Sequence, residues 1–312
     1  MNKLLIASED APEYARYLHD RELPNLEIVV ARSLEEARPS AEDANIILGR
    51  PNLVVPLLNG ASRLQWVQST FAGIEPFCAP GLRTDYTLTG VKGVFGPLMS
   101  EYVFTYILAR ERNLLATREN QLEKRWKGLP YRSLAGVSIG ICGLGSIGQQ
   151  IARTAEHFRM RVLGLSRSAK QVPSVEKVYP TAEICELARH VDYLVVVLPN
   201  TPETVGFINE EVFRSLGAEA VLINVGRGAA VDEAALIEAV QSRQIGGAVL
   251  DVFCEEPLPE ESPLWGLENV FITPHNAAFT FPGDIARIFS DNYARFIAGE
   301  PLQFVIDIEQ GY

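Results

Sequence analysis

The sequence has few cysteines, and those it has are widely spaced. Cys78, Cys142, Cys185 and Cys254 form no Cys-x-x-Cys pair, so neither a zinc ribbon nor a thioredoxin-like redox site is indicated. Thiols this sparse in a chain of 312 residues are typical of reduced cysteines in a cytosolic protein. We therefore expect a cytoplasmic protein that holds no metal.

Long apolar runs are also lacking. The longest, such as residues 193–198, have the length of a β-strand, whereas a membrane-spanning helix needs about 20 apolar residues. The N-terminus has only four consecutive apolar residues before Ser8, which is too short for the core of a signal peptide. These absences predict that the protein does not associate with a membrane.

Positive charge is the third deficit. Lys and Arg number 28 against 39 Asp and Glu, which gives a net charge of −11. Nucleic acids and anionic membranes are bound by basic faces, so the composition disfavours both partners. A phosphate-bearing ligand would have to be held by a local positive cluster.

The residues that are present indicate a globular α/β protein. Apolar residues make up 47% and charged residues 21%, and the length favours about two domains. Residues 4–7 and 26–31 are predicted strands, separated by an amphipathic helix at residues 12–21. Two more strands are predicted at residues 46–48 and 64–68. This β-α-β order predicts a parallel sheet with helices on both faces.

A second α/β series begins after a long helical segment at residues 97–121 and an irregular linker at residues 124–130. Its apolar runs predict six parallel strands, at residues 138–142, 161–165, 193–198, 220–224, 247–251 and 270–273. Helical patterns lie between most of them, at residues 147–158, 181–190 and 232–241, and a final helix is predicted at residues 282–298. Such a series matches the two mononucleotide-binding halves of a Rossmann-type, doubly wound sheet.

A glycine-rich loop directly follows the first of these six strands. Gly143-Leu144-Gly145-Ser146-Ile147-Gly148 has the G-x-G-x-x-G spacing and opens a predicted helix, the context that gives the pattern its meaning. The first glycine permits a tight turn, the second allows a pyrophosphate to approach, and the third lets the helix pack on the strand. The phosphates would lie at the N-terminus of the helix. We therefore predict a dinucleotide site.

The end of the next strand bears on which dinucleotide binds. A site for NAD places an acidic residue there to bind the ribose 2′-hydroxyl. This sequence instead has Ser166-Arg167-Ser168, followed by Lys170, and its next acid is Glu176. A guanidinium with flanking hydroxyls can bind a 2′-phosphate, so we predict that NADP(H) is preferred over NAD(H).

Three further strand ends carry residues suited to chemistry. Arg227 lies between two glycines after one strand, Asp251 ends the next with Glu256 just beyond, and His275 follows Pro274 after the last. Because parallel strands bring their carboxyl ends to one edge of a sheet, these side chains are expected to lie together. The other histidines, at positions 19, 157 and 190, lie in or at the ends of predicted helices, where a surface or partly buried histidine is expected.

Their chemistry fits the reduction of a ketone. Hydride addition to a carbonyl develops negative charge on oxygen, and a histidine is the side chain best suited to protonate it near neutral pH. A carboxylate such as that of Glu256 would stabilise the imidazolium. The planar guanidinium of Arg227 can bind a substrate carboxylate and polarise the neighbouring carbonyl. The combination predicts reduction of a 2-oxo acid.

Over essentially its full length the sequence resembles the D-isomer-specific 2-hydroxyacid dehydrogenases. The motifs that carry the resemblance occur in order: Gly143-x-Gly145-x-x-Gly148, Leu198-Pro199-Asn200-Thr201-Pro202-Glu203-Thr204, Asn224-Val225-Gly226-Arg227-Gly228, Leu250-Asp251-Val252-Phe253 with Glu256-Pro257-Leu258-Pro259, and Thr273-Pro274-His275. Within the family it is most similar to the bacterial glyoxylate/hydroxypyruvate reductase A type. That similarity rests on Ser166-Arg167-Ser168, Met99-Ser100-Glu101-Tyr102, Ser262-Pro263-Leu264-Trp265 and the terminal Gly311-Tyr312.

The resemblance implies a Rossmann-type dinucleotide domain at residues 97–278, inserted in a flavodoxin-like substrate domain formed by residues 1–96 and 279–312. It implies Arg227 as substrate anchor, His275 as acid/base and Glu256 as the partner of His275. It further implies that the backbone of Ala72, Gly73 and Ile74 binds the substrate carboxylate, and that the protein is a homodimer. The cofactor residues implied, in addition to the glycine-rich loop and residues 166–168, are Leu198, Pro199, Thr204, Val225, Gly226 and Asp251.

Two features depart from the usual family pattern, and two alternatives stay open. Glu75-Pro76-Phe77 follows the loop at Ile74, and the residues after His275 lack a glycine that is frequent in the family. The predicted activity is NADPH-dependent reduction of glyoxylate to glycolate and of hydroxypyruvate to D-glycerate. The substrate could be another 2-oxo acid, since the sequence does not reveal the pocket volume. Corepressors of the C-terminal-binding-protein type share the fold and the Arg–Glu–His set, so a dinucleotide-sensing interaction protein is the second alternative.

Overall fold

A computed structural model describes residues 1–308 of the chain, so the terminal Gly311-Tyr312 lies outside the described residues. The chain divides into two compact units. The first combines Met1–Val94 with the chain from Thr280 onward, and the second is Phe95–Phe279. The assignment of substrate binding to the first unit stays a prediction.

The described part of the first unit contains a five-stranded parallel sheet. Its strands are β1 (Asn2–Ala7), β2 (Leu26–Ala31), β3 (Ile46–Gly49), β4 (Trp66–Ser69) and β5 (Thr87–Thr89), in the order β2-β1-β3-β4-β5. The helices between them are α1 (Ala11–His19), α2 (Leu34–Ala41) and α3 (Pro51–Val54). The predicted strands and first helix are confirmed to within two residues, whereas α2, α3 and β5 were not predicted.

Burial on both faces of this sheet explains its continuous apolar strands. Leu4 and Ile6 of β1 face one core, and Leu5 and Ala7 face the other. The C-terminal helix, Pro282–Ala298, closes the first of these faces. Its Phe289 stacks on Trp66 with ring centroids 4.9 Å apart. This contact explains why the two ends of the chain belong to one unit.

The second unit, all of whose residues are described, contains a seven-stranded parallel sheet. Its strands are β6 (Ser138–Cys142), β7 (Arg161–Leu165), β8 (Lys177–Tyr179), β9 (Tyr193–Val196), β10 (Val221–Asn224), β11 (Gly247–Leu250) and β12 (Val270–Ile272). The order β12-β11-β10-β9-β6-β7-β8 reverses at β6, as in a Rossmann-type sheet. The predicted fold class is confirmed. The predicted number of strands was one too few, because β8 has only two apolar residues, Val178 and Tyr179.

Helices cover both faces of this sheet. Helices α4 (Phe95–Glu111) and α6 (Ser146–His157) cover one face, and α7 (Ile184–Ala188), α8 (Glu210–Ser215) and α9 (Glu233–Gln241) cover the other. Helix α5 (Leu114–Leu122) buries none of its apolar side chains. The helix predicted at residues 181–190 is shorter, because its first turn, Thr181–Glu183, is a 3₁₀-helix. Helix α8 was not predicted.

The single long helix predicted at residues 97–121 was wrong. Asn113 adopts a left-handed conformation with φ of 51°, which interrupts the helix between α4 and α5. The Asn113 side chain donates a hydrogen bond to the carbonyl of Pro130 at 2.7 Å. The predicted linker at residues 124–130 is irregular and exposed, and it lies within the second unit.

Two features of residues 1–308 concern membranes and metal ions. No helix among residues 1–308 is long and apolar enough to cross a membrane. In the same range, His, Cys, Asp and Glu form no cluster of three that could hold a metal ion, and the four cysteines are free thiols.

Candidate active site

The glycine-rich loop connects β6 to α6, and its outer and middle glycines differ in their surroundings. Gly143 has φ of +103°, and a Cβ there would lie 2.6 Å from the carbonyl oxygen of Val197. A Cβ on Gly148 would lie 2.0 Å from the carbonyl oxygen of Gly143. By contrast, no described heavy atom outside its immediate neighbours lies within 4 Å of a Cβ built on Gly145. The outer glycines are therefore required by packing, and the middle one opens onto free space.

This free space fits a pyrophosphate. Gly145 is the N-cap of α6, and among the described residues no side chain caps the helix by a hydrogen bond. Gly145 and Ser146 are exposed, so the N–H groups of the first turn are accessible to a ligand. Leu144 is buried, and a Cβ on Gly164 would approach it to 2.6 Å, which anchors the loop on β7. The residues present can thus hold a dinucleotide.

The turn after β7 places two hydroxyls beside each other. Ser166 Oγ and Ser168 Oγ lie 3.2 Å apart, and Arg167 between them is exposed. A hydrogen bond with Thr201 lowers the pKa of the Glu203 carboxyl, and the positive charge of Arg167 lowers it to a smaller extent. The turn therefore presents a cation and two hydroxyls.

The loops after β9 and β10 lie against each other. A Cβ on Gly226 would come within 2.7 Å of the backbone N and O of Leu198. Thr204 closes the β9 loop by donating a hydrogen bond to the Pro199 carbonyl at 2.7 Å, and Val225 is buried. The structure thus brings Gly226 against Leu198 and joins Thr204 to Pro199, four of the five cofactor residues predicted in these two loops.

Arg227 follows β10 in a turn that a buried asparagine shapes. Asn224 is 1% exposed; its Oδ1 accepts the N–H of Gly226 at 3.1 Å, and its Nδ2 donates to the carbonyl of Arg227 at 3.1 Å. Arg227 Nη1 donates to the Gly226 carbonyl at 2.8 Å. The guanidinium is therefore held at the carboxyl end of the sheet.

His275 and Glu256 form a pair after the last two strands. His275 Nδ1 lies 2.7 Å from Glu256 Oε2, and Glu256 Oε1 accepts the N–H of Phe253 at 2.9 Å. Because the carboxylate fixes Nδ1 as the nitrogen that carries the donated proton, Nε2 is the one available to a substrate. The pair matches the geometry expected of an oriented acid/base catalyst.

The chain is similar to known proteins. The family model of the D-isomer specific 2-hydroxyacid dehydrogenase NAD-binding domain matches residues 104–277. The chain belongs to this family. It is 35% identical over 217 residues to a glyoxylate/hydroxypyruvate reductase A of Klebsiella pneumoniae, with 70% of each chain covered.

Solved structures extend the likeness to the whole chain. A family protein from Aeromonas salmonicida is 44% identical with a TM-score of 0.95, covering 98% of this chain and 99% of its own. An NADPH-dependent glyoxylate/hydroxypyruvate reductase from Sinorhizobium meliloti, solved with NADP and sulfate, is 29% identical with a TM-score of 0.86 and full coverage of both chains. This dehydrogenase is therefore an oxidoreductase of 2-hydroxy and 2-oxo acids that uses a nicotinamide dinucleotide.

Two parts of the predicted site, Asp251 and the loop after β4, have surroundings that the sequence did not reveal. Asp251 of the dehydrogenase is 1% exposed, and its carboxylate accepts hydrogen bonds from the turn that contains His275. Its implied role in cofactor binding stays a prediction. Ala72, Gly73 and Ile74 follow β4 in the first unit, where Ala72 is exposed and Ile74 is buried. Arg227, Glu256 and His275 all lie in the second unit.

Asn224 and Tyr102 were missed as site residues, although both stand in motifs quoted above. The signal available for Asn224 was a polar side chain ending an otherwise apolar strand. Tyr102 had no signal in the sequence, because its contact with Thr273 joins residues 171 positions apart.

Proposed function

We propose that the protein is an NADPH-dependent reductase of small 2-oxo acids, with glyoxylate and hydroxypyruvate as substrates. The observation that carries the proposal is the His275–Glu256 pair at 2.7 Å, at the same edge of one sheet as Arg227 and an open dinucleotide loop. The relative from Sinorhizobium meliloti, which is named for this activity and was solved with NADP, supports it.

Arg227 is the proposed anchor of the substrate. Its planar fork of donors suits the two oxygens of a carboxylate, and one donor can also polarise the adjacent carbonyl. The Asn224 side chain makes two hydrogen bonds to backbone groups, and these hold the turn of Arg227 in place before the substrate binds. Preorganisation of this kind stabilises charge that develops on the carbonyl oxygen.

His275 is the proposed acid in the direction of reduction. A dinucleotide held at the loop between β6 and α6 would supply the hydride that the carbonyl carbon of the substrate receives. His275 Nε2 gives a proton to the carbonyl oxygen, and Glu256 stabilises the imidazolium before the transfer and orients the ring throughout. One 2-oxo acid, one reduced dinucleotide and one proton thus give one 2-hydroxy acid and the oxidised dinucleotide. In the reverse direction the neutral imidazole takes the proton back.

We expect Arg167→Asp to reverse the cofactor preference from NADPH to NADH. The substitution removes the cation from the turn after β7 and puts a carboxylate in its place. A carboxylate there would bind the ribose 2′-hydroxyl of NADH and repel the 2′-phosphate of NADPH. The measurement is kcat/KM with each dinucleotide, and we expect the ratio to change by at least about 100-fold, the effect of two charge-assisted hydrogen bonds. Arg153→Asp, the same charge change on an exposed face of α6, is the control. An unchanged ratio in Arg167→Asp contradicts the assignment.

We also propose that the protein is a homodimer that pairs through α5 and the segment after it. Exposed apolar side chains concentrate there, more than a monomer's surface usually shows in one segment: Leu114, Leu115, Leu122, Trp126 and Tyr131. Sedimentation equilibrium should give about twice the 34.4 kDa of one chain. The double variant Leu115→Glu, Leu122→Glu should sediment as a monomer. A monomeric wild type at every concentration would overturn the proposal.

The activity is tested by dinucleotide oxidation with a panel of 2-oxo acids, each measured with NADPH and with NADH. We expect turnover of glyoxylate and hydroxypyruvate with NADPH at the highest efficiency. Turnover of only a different 2-oxo acid would correct the substrate. Dinucleotide binding without turnover of any member would reject the reductase and favour a dinucleotide-sensing interaction protein.

A further inference from the structure

The turn that carries His275 has an unfavourable backbone conformation. His275 has φ of 50°, in the left-handed region that residues with a side chain seldom adopt. Such a conformation persists only where the surrounding structure holds it. The catalytic geometry proposed above therefore depends on whatever fixes this turn.

Asp251 holds three consecutive N–H groups of the turn. Its backbone carbonyl accepts the N–H of His275 at 2.9 Å. Its Oδ1 accepts the N–H of Asn276 at 2.8 Å, and its Oδ2 accepts that of Ala277 at 3.0 Å. Asp251, a buried residue that directly follows β11, thus fixes the backbone that carries the His275 ring.

Thr273 binds the Asp251 carboxylate, and Tyr102 of α4 binds Thr273. Thr273 Oγ1 donates to Asp251 Oδ1 at 2.5 Å, and the Tyr102 hydroxyl lies 2.7 Å from Thr273 Oγ1. Because the threonine proton is given to the carboxylate, the tyrosine is the donor in the second bond. Burial, together with the charge of Asp251, raises the pKa of Tyr102, which keeps the phenol protonated as this role requires. The ring is packed against Tyr106, which contacts Phe271 of β12.

We propose that Tyr102, Thr273 and Asp251 form a positioning relay that sets the backbone of the His275 turn, and with it the angle at which His275 meets Glu256. The inference rests on the proposed acid/base role of His275. Tyr102 and Thr273 act through Asp251 and are positioning residues. Thr273 is the best residue to replace, because its substitution interrupts the relay but leaves Asp251 available for any contact with the dinucleotide.

The test compares Thr273→Val, which keeps the shape and removes the hydroxyl, with Thr273→Ser, which restores it. Thr273→Val should lower kcat about 10- to 100-fold, as expected for a misplaced catalytic group, and leave the KM for NADPH within about twofold. Thr273→Ser should return kcat to within about twofold of the wild type. Tyr102→Phe, which removes one hydrogen bond, should lower kcat about fivefold. Thr105→Val, on the exposed side of α4, is the matched control and should leave kcat unchanged.

Hydrogen exchange of the amides at residues 275–277 supplies a readout that needs no turnover. The relay predicts faster exchange in Thr273→Val and Tyr102→Phe than in the wild type and Thr273→Ser. If Thr273→Val changes neither the exchange rates nor kcat, the relay is wrong. It is also wrong if Thr273→Ser lowers kcat as much as Thr273→Val does. A wild type without turnover rejects the proposed activity instead, and the exchange rates then decide the relay alone. If Thr273→Val does not fold, Tyr102→Phe decides by the same two readouts.

Discussion

Replacement of His275 by alanine should lower kcat for 2-oxo acid reduction by about 10²- to 10⁴-fold, the usual contribution of a general acid. The ring is the proton donor at the carbonyl oxygen, and Glu256 holds it by a 2.7 Å hydrogen bond. His275 is not part of the dinucleotide loop between β6 and α6, so the Kd for NADPH should stay within about twofold of the wild type. A change of about twofold is smaller than the effect of losing one hydrogen bond.

Two measurements check this expectation. Single-turnover kinetics with hydroxypyruvate give the rate of the chemical step, and fluorescence titration gives the Kd for NADPH. His157→Ala, an exposed histidine at the end of α6, is the control and should leave both values unchanged. If His275→Ala retains the wild-type rate, His275 is not the acid and the proposed mechanism is wrong.

Replacement of Arg227 by glutamine should lower kcat/KM for 2-oxo acids by about 10²- to 10⁴-fold. The guanidinium is proposed to make two charge-assisted hydrogen bonds to the substrate, each contributing roughly 1.5–3 kcal/mol. The loss should appear in both KM and kcat, because the same group binds the carboxylate and polarises the carbonyl. Arg227→Lys keeps the charge but loses the planar fork, so its kcat/KM should lie between those of Arg227→Gln and the wild type.

The control for this prediction is Arg214→Gln, which removes an exposed arginine paired with Glu210 on α8. It should leave kcat/KM unchanged. An Arg227→Gln variant with wild-type KM and kcat would show that another group binds the carboxylate. A variant with raised KM and normal kcat would limit Arg227 to binding.

The strand ends of the second unit were predictable because the chemistry there stands directly after apolar runs. β6, β10 and β12 belong to one parallel sheet, so the residues that follow each of these strands had to lie at the same edge. The positions of Gly145, Arg227 and His275 at that edge follow from this rule. The final helix, Pro282–Ala298, has a strong amphipathic pattern and was predicted with its observed bounds.

The features that the sequence did not reveal depend on single residues or on distant contacts. β8 has only two apolar residues, Val178 and Tyr179, so it does not stand out as an apolar run as β12 does. The break between α4 and α5 depends on the backbone of Asn113, in a stretch that otherwise reads as helix. The bonds of Asp251 to the His275 turn, and of Tyr102 to Thr273, join residues on different elements and cannot be read from local spacing.

The acidic composition has a limited meaning for the ligands. The net charge of −11 is distributed over the whole chain, whereas the proposed ligands meet Arg167, Arg227 and a helix N-terminus. Local donors and dipoles act over a few ångströms, and distant surface charges are screened at physiological salt. A negative protein can therefore bind a dinucleotide and an anionic acid.

The most direct test of the proposed function compares NADPH oxidation with hydroxypyruvate and with dihydroxyacetone. The two ketones differ in the replacement of the carboxylate by a hydroxymethyl group, so the comparison isolates the contact assigned to Arg227. We expect hydroxypyruvate to be reduced with a kcat/KM at least about 10³-fold higher, since a site built to bind a charged group rejects an analogue that lacks it. Equal efficiencies with the two ketones, or no oxidation of NADPH with hydroxypyruvate, would contradict the account.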